Sequence, residues 1–448
     1  MKEYRFWTIL ILLLVGPIIA GLFIVPAWLH ARVHDEVSAI KAAGDPVSCA
    51  ELAPKIADKD NGGILYQRAL DIACSPQGKN DLDGCRDLLT ESERLKNPKL
   101  WDMAEAYYKK YKKTLLIAEQ ASAKPECRYQ FDWNNKEPMA IIFPIFASIR
   151  RFVQFTSFAV MIETRKGNMD EAVRWMKLDF AVSESVKDEP TIIAQLVRYA
   201  CLAISCRSLG YMIDNGNLNE HQARELFDQL AAIDLEPGEV LAMKGERAMV
   251  ISTFDNISKS GPKSYTWVDE YKAIKDMPYE RCIPFPIRIK ADELWYLQTM
   301  KDLAKNTSQP YRLSMNSQTD YQQLPRYASL SRIMLSNSRI QMTRDKITAL
   351  LAGYQVHLAL IAYRDRFGSY PTDLKQLRQK LGWKIPNDVF SGKDFIYKRQ
   401  GKGFIFYGIG ENLKDDHAKT VANTNSDKYP YPVRNGDRSA DMIWQMKN

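Results

Sequence analysis

The sequence predicts a mainly α-helical protein: an N-terminal transmembrane helix, an extracytoplasmic body of helical hairpins and a small C-terminal α+β domain. Three observations predict it. Phe6 to Leu29 carries no charge, apolar residues recur at steps of three and four from His34 to about Asn256, and two aromatic-rich runs flank a glycine-containing turn at Gln400 to Gly403.

The chain's 448 residues are enough to bury one full core and room for more. Hydrophobic residues at 46% and charged residues at 26%, with only 22 Gly and 21 Pro, exclude a disordered or collagen-like chain. The net charge of +8 is spread along the sequence, with no clustered basic face, so nucleic acid is not an expected partner. A mild attraction to anionic surfaces is expected.

Residues 1–33 form the expected signal anchor. Phe6 to Leu29, at about 1.5 Å per residue, reaches across a hydrocarbon core of about 30 Å. Lys2 and Arg5 precede the run and Asp35 and Glu36 follow it, which places the N-terminus in the cytoplasm and the rest of the chain outside. The expected location is the inner (cytoplasmic) membrane, spanned once, with the lipid bilayer a partner through residues 6–29. A cleaved signal peptide and a buried core helix are the rival readings. The run exceeds the usual signal core, and Trp28 and His30 are bulky for a peptidase site. The apolar run from Met139 to Ile149 is too short for a second span.

Seven cysteines suit an oxidising compartment. Cys49, Cys74, Cys85 and Cys127 allow three pairings or none, and Cys201, Cys206 and Cys282 lie further on. No CxxC spacing is present, which argues against a structural zinc site.

The body, residues 34–256, reads as helix pairs. Asn168 with Glu171 and Asn219 with Gln222 have the spacing of reciprocal caps. Around them Gly167 to Ala172 and Gly216 to Ala223 repeat weakly, and this turn resembles the middle of a tetratricopeptide unit. An irregular bundle with two similar turns is the alternative. Residues 257–326 read as a connector dense in turn signals, in which Asp292 to Lys305 has helical pattern.

Residues 327–448 make the C-terminal module. Ile347, Leu351, Tyr354, Leu358 and Ile361 form a seam on a long helix that ends at Gly368. Strands are expected at Phe395 to Arg399 and Phe404 to Tyr407, closed into a hairpin by Gln400 to Gly403. The helix end from Ala359 to Pro371, the loop and strand from Ile385 to Tyr397, and the strand from Phe404 to Gly410 resemble the type II secretion major pseudopilin head. The stretch Gly436 to Trp444 is similar to that family's acidic finish, whose aspartates bind calcium. The resemblance implies calcium as the possible cofactor, with Asn412, Asp415, Asp416, Asp437 and Asp441 as candidate ligands. It covers about a quarter of the chain, and the layout as a whole resembles membrane-anchored bacterial proteins carrying such a domain. Pseudopilins place their hydrophobic helix directly before the head; here the helical body intervenes, so polymerisation is not expected.

No GxSxG, HExxH, Walker or GxGxxG pattern is present, and the SxxK match at Ser260 to Lys263 is broken by Gly261 and Pro262. His30, His34, His221, His357 and His417 are scattered, and the acids Glu220 with Glu225 and Asp292 with Glu293 read as solvated helix faces. The expected function is therefore binding or scaffolding of other envelope proteins, not catalysis, with a link to type II secretion or a pilus-like apparatus. Phe395, Tyr397, Phe404, Phe406 and Tyr407 are the expected binding platform. An envelope enzyme with a site assembled from distant residues is the alternative.

Overall fold

The chain opens with α1, Lys2–Ala42, one long helix that continues through Gly16, Pro17 and Pro26 of the apolar run. The computed structural model describes residues 2–84, 97–135, 137–261, 284–314, 340–418 and 441–446, with positions 328, 330, 331 and 335. Below the apolar run, Leu29 and Val33 are buried and Val37 and Ile40 continue their stripe at steps of four and three. This stripe packs on α10, Phe285–Thr307, the connector's helix. The connector is thus a structural wall of a second core, shared with α9, Glu236–Ser260.

The body follows as α2 (Gly62–Ala73), α3 (Pro76–Asp83), α4 (Pro98–Ser122), α5 (Ile145–Arg165), α6 (Met169–Glu184), α7 (Ile192–Asn215) and α8 (Glu220–Ala231). Prolines open α3 and α4 at positions where a missing N–H costs nothing, behind Ser75 and Asn97 caps. Of the two hairpins expected, α5 with α6 forms, whereas α8 turns away from α7 and packs on the long C-terminal helix and on α6, so the second is not a closed pair. The Asn219 and Gln222 capping box is present in both directions. The matching box at Asn168 is not. Its amide instead donates to Glu163 Oε2 at 2.7 Å, because that carboxylate is buried at 5% exposure and needs a donor. Residues Pro138–Arg165 and Ile192–Asn215 are apolar enough to cross a membrane, but 72% and 67% of their apolar 18-residue windows are buried within the fold, as core helices are.

The long C-terminal helix is α11, Ile340–Phe367, and Gly368 ends it in the left-handed region at φ 73°. After α12, Leu374–Leu381, the hairpin forms with β1 at Ile396–Gln400 and β2 at Gly403–Gly408, turning on Gly401 at φ 57°. β3, Met442–Met446, joins β2 to give an antiparallel sheet of order β1-β2-β3. In register, Tyr397, Phe406 and Trp444 share one face with Phe404. That face lies on α11, whose other sides meet α7 and α8, so one apolar core runs from Tyr66 to Trp444.

Of the acid pairs expected on solvated faces, Asp292 and Glu293 are buried. Asp292 accepts from the backbone of Leu330 and Ser331, and Glu293 pairs with Lys290 at 2.6 Å, which offsets their desolvation. Cys49, Cys74, Cys127, Cys201 and Cys206 are free thiols; Cys85 and Cys282 lie outside the described residues.

One close approach fixes the sheet on the helix. A Cβ at Gly353 would lie 2.0 Å from the Trp444 ring. Gly353→Ala should therefore destabilise the chain by about 1–3 kcal/mol in chemical denaturation, and adding Trp444→Leu should recover part of the loss. An unchanged midpoint in Gly353→Ala would show that helix and sheet do not touch there.

Candidate functional site

Strand alternation decides the fate of the expected aromatic platform. Phe395, Phe404 and Phe406 are buried at 3%, 0% and 0% exposure, so they are core residues and not a binding surface. Phe406 stacks on Trp444 at 5.2 Å, and Phe404 meets His357 of α11 edge-on at 5.4 Å. Tyr397 and Tyr407 are half-buried, and the Tyr397 hydroxyl donates to Pro371 O at 2.9 Å. The hairpin does pack on the long helix as expected; the solvent side of the sheet is Ile396, Lys398, Ile405 and Tyr407.

The fold brings four of the five candidate calcium ligands together. Asp441, 6% exposed, accepts from the backbone N–H of Asp416 at 3.3 Å and Ala418 at 2.8 Å. Asn412 Nδ2 donates to Asp416 Oδ2 at 2.8 Å, and Asp415 accepts from His417 N. Burial, with Asp416 and Asp415 nearby, raises the Asp441 carboxyl above its usual range. Asp437 lies outside the described residues. Among the described residues no three metal-ligating side chains of His, Cys, Asp or Glu converge on one point, and the turn is closed by its own hydrogen bonds.

A concavity lies on the helical body. A groove of about 500 Å³ runs over α6, walled by α4 and α8. Asp170, Arg174 and Lys177 rise from its floor, Glu119 from one wall, His221 and Glu225 from the other. Helical spacing explains this: Asp170, Arg174 and Lys177 are four and three apart and share a face of α6. Arg174 makes a forked pair with Glu119 at 2.6 and 2.7 Å, and Lys177 reaches Glu225 at 3.2 Å. Gln222 Nε2 donates to Asp170 Oδ1 at 2.7 Å and ties α8 to α6. The Arg174 fork holds the Glu119 carboxyl below the usual carboxylate range. These pairs are half-exposed, so each is weak and exchangeable. Sequence reading gave Glu225 only as a solvated residue and did not join Arg174 or Lys177 to it, because the groove is assembled from three helices distant in sequence.

Two acids and a histidine with large displacements lie elsewhere, inside the packing. Asp179 of α6 is fully buried and accepts from Thr156, from Ser157 at 2.8 Å and from Ser208 at 3.0 Å. Burial raises its carboxyl to about 7, while those hydroxyls oppose the rise. Glu239 of α9 is likewise raised to about 7 by burial, opposed by Arg344, which pairs with it at 3.4 Å. His357 has no hydrogen-bond partner on either ring nitrogen, and burial drives it down to about 3. None of the three lines the groove. The signal for Asp179 was present in the sequence as hydroxyl residues interrupting the apolar faces of α5 and α7.

No protein family, no curated protein and no solved structure matches this chain.

Folded Asp179 keeps its proton up to about pH 7, whereas an unfolded aspartate loses it near 3.8. Its contribution to stability is therefore fully present below pH 3.8 and is lost as the pH rises through 7. Asp179→Asn should flatten the decline of unfolding free energy with pH by up to about 1.4 kcal/mol per pH unit in that window, read from urea midpoints. A slope equal to the parent's would mean that Asp179 titrates normally.

Proposed function

We propose that this chain is a membrane-anchored binding protein of the cell envelope, with its N-terminus in the cytoplasm and the helical body outside, and that it recognises other envelope proteins through the groove over α6. The observation that carries this reading is the groove's lining: opposite charges from three helices, held in half-exposed ion pairs that a charged partner segment can exchange for its own. Charge displayed this way favours recognition over catalysis, since the acids and the histidine whose protonation burial displaces furthest toward neutrality are packed into the core instead. Binding, not an enzymatic step, is thus the proposed role.

A link to type II secretion or a pilus-like apparatus belongs to the same proposal. It is supported by the order of long helix, Gly368, loop and aromatic hairpin, which follows the pseudopilin-like pattern. Calcium binding at Asn412, Asp415, Asp416 and Asp441 is also part of it, supported by the Asp441 carboxylate lying against the backbone of the turn that carries the other three. That turn falls short of the six to eight oxygens calcium takes, so its hydrogen bonds would have to give way and further oxygens be supplied.

Cross-linking in the native cell, followed by capture and mass spectrometry, should recover envelope proteins with the parent chain. Arg174→Glu with Lys177→Glu should lower that recovery by on the order of tenfold at unchanged chain abundance. Recovery of the chain alone would overturn the scaffold reading. For calcium, millimolar metal should raise the melting temperature of the intact chain by a few degrees, and Asp441→Asn should abolish the rise; no rise in the parent would end the calcium proposal.

A further inference from the structure

Helix α1 does not end where its apolar run ends. Phe23, Ile24, Val25 and Trp28 are 75%, 64%, 41% and 55% exposed, a concentration of large apolar side chains that acyl chains accommodate and water does not. The very next residue, Leu29, is 5% exposed because it is already docked on the body. Val33, Val37 and Ile40 continue the docked stripe, and Lys301 reaches Glu36 at 3.4 Å. Just beyond the helix, Asp45 is clamped by Lys244 and Arg247, each at 2.7 Å. Between the exposed apolar turn and the docked stripe there is a single helical step, about 1.5 Å of rise, and no loop.

The turn after Trp28 exposes His30, Arg32 and His34. Helical side chains lean toward the helix N-terminus, so these groups lean back toward the apolar turn, Arg32 directly over Trp28 one turn earlier. Long cationic side chains in that position reach for phosphate at the edge of a bilayer. The acids that follow do not cancel them: Glu36 is engaged by Lys301, and Asp35 is further from the apolar turn.

Resting on the reading of residues 6–29 as a membrane anchor, we propose that α1 is a rigid strut that remains in the mature chain and seats the body directly on an anionic lipid surface, with Arg32, flanked by His30 and His34, meeting the headgroup phosphates. A peptidase needs extended backbone at its site, and the Ala27 to Ala31 region is helical and continuous with the docked stripe.

The test uses the full chain, extracted from native membranes and reconstituted in phosphatidylcholine vesicles with and without phosphatidylglycerol. The intact mass should include residues 1–28. Hydrogen exchange should be slow without a break from residue 24 to 42. Phosphatidylglycerol should raise the unfolding temperature, and Arg32→Glu should remove that rise while leaving the value in pure phosphatidylcholine unchanged; Arg32→Gln should remove most of it. Fast exchange confined to residues 29–34, in a chain that keeps its full mass and resists extraction by alkali, would overturn the strut and leave the anchor standing. A mass lacking the N-terminal residues, or release from membranes by alkali, would overturn both. An equal rise in Arg32→Glu and parent would overturn the headgroup contact.

Discussion

Helix α11 has almost no surface, and the rest of the fold is arranged to satisfy it. From Ile347 to Tyr363 only Thr348 and Gln355 keep partial exposure. A helix apolar on every side must be covered on every side. Here α7 and α8 cover part of it and the sheet covers another. Small residues make this close packing possible: Ala349, Ala352, Ala359 and Ala362 are buried along its length, and Gly353 admits the Trp444 ring against its backbone. The start of the helix carries the polar cost. Arg344 donates to Asp345 at 3.0 Å and to Gln309 O at 2.8 Å, while Asp345 accepts from Tyr311 N at 2.7 Å. Apart from the Arg344 to Asp345 bond within the helix, the arms of that network fix α11 to the chain segment after α10 and to Glu239 of α9, so the C-terminal helix is locked to the body near its start.

Opposite ionisation signs sit on the two sides of this helix. On the body side, burial raises Glu239 and Asp345, so acid favours that packing. On the sheet side, burial lowers His357, whose contribution is fully present above its ordinary value of 6.5 and is lost as the pH falls toward 3. The neutral imidazole lies edge-on to Phe404 and Phe406, at the cost of two buried ring nitrogens without a hydrogen-bond partner. The two interfaces of one helix therefore respond in opposite directions to the same proton concentration, a consequence of burying acids on one side and a base against aromatics on the other.

Features set by neighbouring residues were legible in the sequence. The capping box at Asn219, the stop at Gly368 and the turn at Gly401 each depend on a few adjacent residues, and each stands where the pattern put it. Features set by tertiary burial were not. Asn168 has the same local pattern as Asn219, yet a buried Glu163 redirects its amide. The seam Ile347, Leu351, Tyr354, Leu358 and Ile361 is buried, but so is the opposite face, which a one-partner reading leaves out. The aromatic run at Phe404 to Tyr407 contained its own answer: alternation sends Phe404 and Phe406 to one face and Ile405 and Tyr407 to the other, and only one pair can be outside. The groove over α6 was beyond reach because Glu119, Arg174 and Glu225 meet only once three helices pack.

The integration of α11 also bears on what the C-terminal module can do. A subunit that polymerises through its long helix must offer a free face of that helix to its neighbours. Here α7 and α8 occupy one side and the sheet the other, and α8 is further pinned to the helix end by Glu220, whose carboxylate pairs with Arg366 and whose N–H donates to Asp365 at 2.8 Å. Freeing α11 would expose the core from Leu350 to Ala362 and strip Phe227 of the Trp383 ring packed on it at 4.9 Å. Such a loss exceeds what a transient helix contact returns. The same packing makes the module a fixed extension of the helical body, so that sheet, long helix and α8 form one frame.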